Sequence, residues 1–234
     1  MIWRPFAAAL VAIVLTTRVR IRPAAAQWAH SVRAVGEFDS NGFIMVLGGF
    51  TVAPARDGWV PLADLRGFWV RYTDAAGRES DLTSISPSLG VRNNFGTGSF
   101  AARAGINVSS REVTTPLGST PDTRDGITNA MAIQYWGSGR VQLEGLASYN
   151  HGAENLWSGA RALSRLFGRG RGGGVLAGAE VGYLNGIDFD FVQPGIVLGF
   201  RSGRGTAMNV ALGRRLGDGE DATWIRGEIL LGDY

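Results

Sequence analysis

The chain has 234 residues, 35 of them glycine and none of them cysteine, so disulfides and thiolate metal sites are excluded. Its basic residues are all arginine, and its formal net charge is +3. No stretch reaches the roughly 18 continuous apolar residues that a membrane-spanning helix needs. The length fits one large domain or two small ones.

The first 26 residues are predicted to be a secretory signal peptide. Arg4 supplies the positive start, residues 6–15 are apolar, and three alanines at 24–26 form a cleavage site before Gln27. An uncleaved anchor is the alternative, but ten apolar residues cannot span roughly 30 Å as a helix. Cleavage removes the arginines at 4, 18, 20 and 22 and leaves 19 arginines against 20 carboxylates. The mature charge is then near −1, which gives no reason to expect a nucleic-acid partner.

Segments of alternating hydrophobicity fill the remaining chain, and this period of two is typical of strands. Residues 155–166 could also form a helix, although their alternation favours a strand. Residues 53–64 contain two prolines and are predicted to be a longer connection. In chain order, the predicted strands are 27–38, 43–52, 65–73, 81–92, 99–108, 127–136, 141–149, 155–166, 174–184, 188–200, 206–215 and 222–234.

The clearest pattern lies in residues 174–200, which are predicted to form a hairpin. Apolar residues such as Val181 alternate there with glycines and Glu180. Asn185-Gly186 then gives a strong turn signal, because both residues accept a positive φ. A β-bulge is expected at 192–195, since Pro194 cannot donate a ladder hydrogen bond.

These patterns predict an all-β fold, an antiparallel up-and-down transmembrane β-barrel of about 12 strands formed by residues 27–234. Ten strands is the alternative, because the long connection at 53–64 conflicts with short periplasmic turns. The expected location is the bacterial outer membrane, with lipid as the partner of the outer surface. An even strand number places both termini in the periplasm, so the polar segment 109–126 is predicted to be a long extracellular loop.

Charged residues recur on the faces that are predicted to point into the lumen. Unpaired charges would be costly in a narrow barrel, so arginines and glutamates there should pair or be hydrated. Glu180 is expected to pair with Arg161 and Arg165, which lie on the neighbouring predicted strand. A structural ion-pair network is favoured over a selectivity lining for a charged or sugar-like solute. The predicted lumen-facing residues are Arg71, Arg103, Glu144, Arg161, Arg165, Glu180, Arg226 and Glu228.

Catalysis finds little support in the sequence. His30 and Ser31 would lie on opposite faces of one strand, and His151 could meet Asp188 or Asp190 at the rim without a nucleophile in register. Residues 218–221 do not fit a calcium loop, and residues 168–172 lack the lysine of a phosphate loop. We therefore predict no catalytic residue, metal or cofactor. The tryptophans at 69, 136, 157 and 224 are assigned to an aromatic girdle.

Three glycine-rich stretches carry a family resemblance. They are Gly48-Gly49-Phe50 through Asp57-Gly58-Trp59 to Tyr72, the strand pair from Ser88-Leu89-Gly90 to Gly105, and Gly178 to Tyr183 with Gln193-Pro194-Gly195 after it. In these stretches the chain resembles the BcsS-type cellulose biosynthesis family of small outer-membrane barrels. The resemblance implies a non-enzymatic accessory role in exopolysaccharide secretion, with polysaccharide and other secretion components as partners. An outer-membrane hydrolase of lipid or peptide and a small diffusion channel are the alternative functions.

Overall fold

The computed structural model describes residues 28–73, 78–96, 98–115, 118–137, 140–151, 154–168, 173–186, 190–202, 205–217 and 221–232, with the backbone alone for 115 and 119–137. The predicted signal peptide lies outside these residues. The described residues form twelve strands: β1 Trp28–Asp39, β2 Ile44–Pro54, β3 Gly58–Thr73, β4 Glu79–Phe95, β5 Gly98–Thr115, β6 Gly118–Gly137, β7 Val141–Asn150, β8 Asn155–Phe167, β9 Gly173–Asn185, β10 Asp190–Ser202, β11 Thr206–Gly217 and β12 Ala222–Gly232.

The strands close into one barrel in which each strand pairs antiparallel with its sequence neighbours. The seam is closed by β1 and β12, where Ser31 to Asp39 pair with Gly232 to Trp224. This up-and-down order confirms the predicted architecture and the count of twelve rather than ten. No helix of the described residues is long and apolar enough to cross a membrane.

Alternation separates a mostly apolar outer face from an inner face that carries the buried polar and charged residues together with an apolar cluster. On β10, the outer residues Val192, Ile196, Leu198 and Phe200 are exposed, whereas inner residues such as Gln193 and Arg201 are buried. Successive strand residues point to opposite faces, so a period of two in the sequence becomes two surfaces in the barrel. The outer surface therefore suits hydrocarbon, and the lumen is polar.

Two predicted connections turn out to be strands. The segment 109–126, predicted to be a loop, continues β5 and β6, which pair from Gly98 with Tyr135 up to Thr115 with Gly118. The segment 53–64 contains only a three-residue connection, because β2 runs to Pro54 and β3 begins at Gly58. Gly58 has a φ of +79°, a conformation that glycine adopts without strain. With this correction, a short turn stands on the side where an even strand count requires one.

The bulge expected at 192–195 is absent from the pairing of β10 with β9 and β11. Both registers pass Pro194 without a shift; on the β11 side, pairing stops at Val192 and resumes at Gly195. A proline cannot donate its missing N–H, so two positions of that ladder stay unpaired while the alternation continues. A register shift occurs elsewhere, between Arg165 and Phe167 on β8, the segment for which a helix was the alternative.

Candidate functional site

The lumen of the barrel contains seven of the eight charged residues that the sequence predicts there. They occupy the inner phase of their strands, that is, the alternate positions whose side chains point into the lumen. Arg161, Glu180 and Glu228 are buried, whereas Glu144 and Arg165 are partly exposed. These inner residues are Arg103, Glu144, Arg161, Arg165, Glu180, Arg226 and Glu228.

Arg71 is the exception, because it lies on the outer face of β3. Tyr72 is buried on the inner side, and the alternation from Asp64 to Tyr72 places Arg71 outside. Its guanidinium contacts Asp81 at 2.9 Å and Glu79 at 3.0 Å and lies 5.4 Å from the ring centre of Trp69. The prediction was wrong because this part of β3 has large apolar residues in both phases, so its two faces could not be told apart.

Arg161 of β8 is the centre of an ion-pair network that crosses the lumen. Its Nε donates to Glu180 of β9 at 2.8 Å, and its Nη1 donates to Glu228 of β12 at 2.7 Å and to Glu144 of β7 at 3.3 Å. Strands β9 to β11 separate β8 from β12 in the sheet. The bond to Glu228 therefore spans the barrel interior rather than following the wall.

Glu180 accepts hydrogen bonds from two arginines. The sequence predicts Arg161 and Arg165 as partners, and the structure shows Arg161 and Arg226. Arg226 comes from β12, three strands away from β9, and also faces Glu37 at 3.6 Å. Sequence reasoning considered the neighbouring strand, where Arg165 lies, and could not detect a partner that the closure of the barrel brings across the lumen.

The network continues to the end of the barrel where β1 meets β2. Arg215 donates to Glu37 at 2.9 Å and forms an ion pair with Asp39. Its guanidinium carbon lies 3.9 Å from the ring centre of Phe43 and 4.4 Å from that of Phe191. The two aromatic rings and the two carboxylates therefore both contact this guanidinium group, by stacking and by charge-assisted bonds.

Several residues of the network are not among the lumen-facing residues predicted from the sequence. Arg33 pairs with Glu228 at 2.6 Å, and Asn209 donates to the same carboxylate at 2.9 Å. Gln193 of β10 donates to Glu37 at 2.8 Å, and Arg201 donates to Asn209 at 2.9 Å. All of them occupy the inner phase of strands that were correctly predicted, so extending the alternation to every polar residue would have found them.

A second polar cluster lies on β2 to β5 around Asp64. Its carboxylate accepts from Thr51 at 2.6 Å and from Arg66 at 2.8 Å and lies 3.5 Å from Nε of Arg103. Beside it, Ser86 donates to Asn107 at 2.6 Å. This part of the inner wall thus carries short hydroxyl side chains.

Trp224 contradicts its assignment to an aromatic girdle. Its side chain is 1% exposed and packs inside the barrel with Leu163, Leu176 and Val197. By contrast, Trp28 and Trp59 are more than half exposed on the outer face. Of the other girdle candidates, Trp69 lies outside and Trp157 follows the inner phase of β8, while the side chain of Trp136 is outside the described residues.

The histidines are far from the geometry of a catalytic pair. His30 is exposed on the outer side of β1 and Ser31 follows on the other side, whereas His151 packs edge-on against Tyr149 with 4.7 Å between ring centres. Among the described residues, no group of three or more histidine, aspartate or glutamate side chains is placed to hold a metal ion.

Solved structures with the same architecture decide the fold class. The β-domain of the Bordetella autotransporter BrkA matches with a TM-score of 0.54 and 12% identity, covering 90% of this chain and 100% of that chain. The fold is that of an outer-membrane β-barrel. This barrel is also similar to the NalP translocator domain of Neisseria meningitidis (TM-score 0.50, 13% identity, 98% of each chain) and to the CymD monoaromatic hydrocarbon channel (0.51, 8%, 88% of each chain). No protein-family model and no curated protein matches the chain.

Proposed function

We propose that this outer-membrane barrel is a non-enzymatic accessory of exopolysaccharide secretion, with cellulose as the expected polymer. The observation that supports it is the ion-pair network from Arg161 to Glu228, which occupies the lumen between β8 and β12. A lumen crossed by buried, mutually paired charges suits a rigid structural barrel better than a wide pore for a polymer chain. The polysaccharide itself rests on the resemblance in the three glycine-rich stretches.

A strain that lacks this chain provides the test. We expect it to export less cellulose while its membrane fraction retains cellulose synthase activity, and the wild-type chain should restore export. Export unchanged by the deletion would contradict the accessory role. A variant with Glu228→Gln serves as a second test, because it removes one charge from the network and should reduce the rescue if the rigid lumen is needed.

A small diffusion channel is the second candidate, and the inner wall of β4 favours it. Ser84, Ser86 and Ser88 follow one another there on the inner side, and Leu82 separates them from Ser80. Ser84 lies opposite Ser109 of β5, and Ser86 donates to Asn107. Short hydroxyl side chains leave more room than arginines do and can hydrogen-bond to a polar solute. Purified barrels in planar lipid bilayers should then give small, stable conductance steps, and Ser84→Trp should lower the conductance. Bilayers that contain inserted barrels and remain silent would exclude the channel.

A further inference from the structure

The cluster around Asp64 has more positive than negative charge in a buried place. Asp64 is a single carboxylate with a side chain 1% exposed, and it faces Arg66 at 2.8 Å and Arg103 at 3.5 Å. The remaining polar neighbours, Thr51 and Ser88, are neutral hydroxyls that donate to the same carboxylate. One carboxylate cannot neutralise two guanidinium groups, so the cluster has an excess of one positive charge.

Arg103 also has a donor that no described residue satisfies. Its side chain is 7% exposed, its Nε faces Asp64, and its buried Nη2 has no hydrogen-bond acceptor among the described residues. Buried polar groups are almost always hydrogen-bonded, and a buried charged donor without an acceptor is costly. An unsatisfied guanidinium group beside a second arginine is suited to an acceptor that also carries negative charge.

Glycines lie next to both arginines of the cluster on the neighbouring strands. Gly90 lies opposite Arg103 on β4, and a Cβ there would come within 2.8 Å of the Arg103 Cβ. Gly49 likewise lies beneath the side chain of Arg66, where an added Cβ would be 3.7 Å from Cγ. Only Gly90 is required for this close approach, because the 3.7 Å distance at Gly49 is an ordinary van der Waals contact.

The described part of the lumen has the same sign of charge. Among the described side chains, arginines outnumber carboxylates on the inner face, and an excess of arginine attracts anions to a pore. These arginines are Arg33, Arg66, Arg92, Arg103, Arg111, Arg161, Arg165, Arg201, Arg215 and Arg226, and these carboxylates are Glu37, Asp39, Asp64, Glu144, Glu180 and Glu228.

We propose that Arg66 and Arg103 form a binding site for an oxyanion group, a carboxylate or a phosphate, on a solute that enters the lumen. Arg103 would contribute its unsatisfied Nη2, and Arg66 a second positive charge. Asp64 contacts both arginines at their Nε atoms, and it leaves Nη2 of Arg103 without an acceptor among the described residues. This site is independent of whether the barrel assists cellulose secretion.

Binding is measured by isothermal titration calorimetry on the refolded full-length mature barrel in detergent micelles. The probes are inorganic phosphate, glucuronate and glucose, at an ionic strength held constant with chloride. We expect phosphate or glucuronate to bind, and glucose not to bind. Phosphate binding alone indicates a free inorganic anion, and glucuronate binding alone indicates an acidic sugar; either result supports the site.

Arg103→Gln should weaken binding at least tenfold, because it removes the charge and the unsatisfied donor while keeping most of the side-chain volume. Arg214→Gln is the matched control, since Arg214 is an exposed outer residue paired with Asp221 at 3.4 Å. This variant should bind the anions with an affinity within twofold of that of the wild type. Equal binding by Arg103→Gln, or no binding of either anion by the wild type, would overturn the proposal. Should Arg103→Gln not refold, Arg103→Lys keeps the charge without the planar fork and must also weaken binding.

Discussion

At the scale of single residues, Glu180 is a lumen carboxylate whose loss should destabilise the barrel. It is buried and accepts from both Arg161 and Arg226. Glu180→Ala leaves the buried guanidinium group of Arg161 and the partly buried one of Arg226 without this acceptor, and we expect a loss of about 3 kcal/mol in the free energy of unfolding. Val181→Ala, which truncates the next residue on the outer face, should cost about 1 kcal/mol. Urea unfolding in lipid vesicles measures both values.

Asp221→Ala is the matched control for the charge, because Asp221 and its partner Arg214 have side chains that are more than half exposed. An exposed ion pair contributes little to stability, so this variant should unfold like the wild type. A neutral Glu180→Ala together with a damaging Val181→Ala would mean that the inner and outer faces of β9 are interchanged.

A substitution at Gly195 tests the packing of Trp224 inside the barrel. A Cβ on Gly195 would come within 2.6 Å of the Trp224 ring, which fills the space above this glycine. Gly195→Ala should therefore destabilise the barrel by about 1–3 kcal/mol through overpacking. Combining it with Trp224→Leu should cost less than the sum of the two single variants, which urea unfolding of all three can show.

Gly36→Ala and Gly227→Ala are controls for this experiment, because a Cβ at either position meets nothing within 4 Å. Both should be tolerated. If they destabilise the barrel as much as Gly195→Ala does, the cost lies in the strand backbone and not in the contact with Trp224.

At the scale of elements, Arg215 of β11 contacts β1, β10 and the residue before β2 at one end of the barrel. It extends from β11 to the carboxylates of β1 and to the rings of Phe43, just before β2, and Phe191, at the start of β10. Arg215→Lys keeps the charge but loses the planar group that stacks and bridges both carboxylates. We expect the free energy of unfolding to fall by about 2 kcal/mol. Arg214→Lys, the exposed neighbour on the outer face, should leave it unchanged in the same urea titration.

The elements also show what the sequence could predict. Alternation identified all twelve strands and the inner phase of β7, β8 and β9, because one face of each is clearly more polar than the other. The pattern was ambiguous on β3, where Trp69 opposes Phe68 and Val70, and Arg71 was therefore assigned to the wrong face. The polar stretch 109–126 extends β5 and β6, because these two strands hydrogen-bond to each other there. The residue pattern within one strand does not reveal that partner.

The contacts of the site depended on information that a single strand does not contain. Arg161 and Glu180 were paired correctly because their strands are neighbours, with Arg161 directly opposite Glu180 in the register. The bonds from Arg161 to Glu228 and from Gln193 to Glu37 cross the lumen. They follow from the number of strands and the closure of the barrel, so no local pattern could indicate them.

At the scale of the whole molecule, the barrel should behave as an integral outer-membrane protein. Its apolar outer face and closed hydrogen-bonded wall require a hydrocarbon environment. We expect the mature chain to fractionate with outer membranes and to migrate differently on gels before and after heating. Recovery as a soluble periplasmic protein, or a migration that heating does not change, would contradict this expectation.

The seam between β1 and β12 has a consequence for assembly. Arg33 of β1 pairs with Glu228 of β12, and Glu37 of β1 pairs with Arg226 of β12 and with Arg215 of β11. Until these two strands meet, Arg33 and Glu37 remain without these partners. Neutralisation of the charges at the seam and closure of the wall therefore occur in the same step. An intermediate that has inserted but not closed retains unbalanced charge inside, which favours completion of the cylinder over an open sheet in the bilayer.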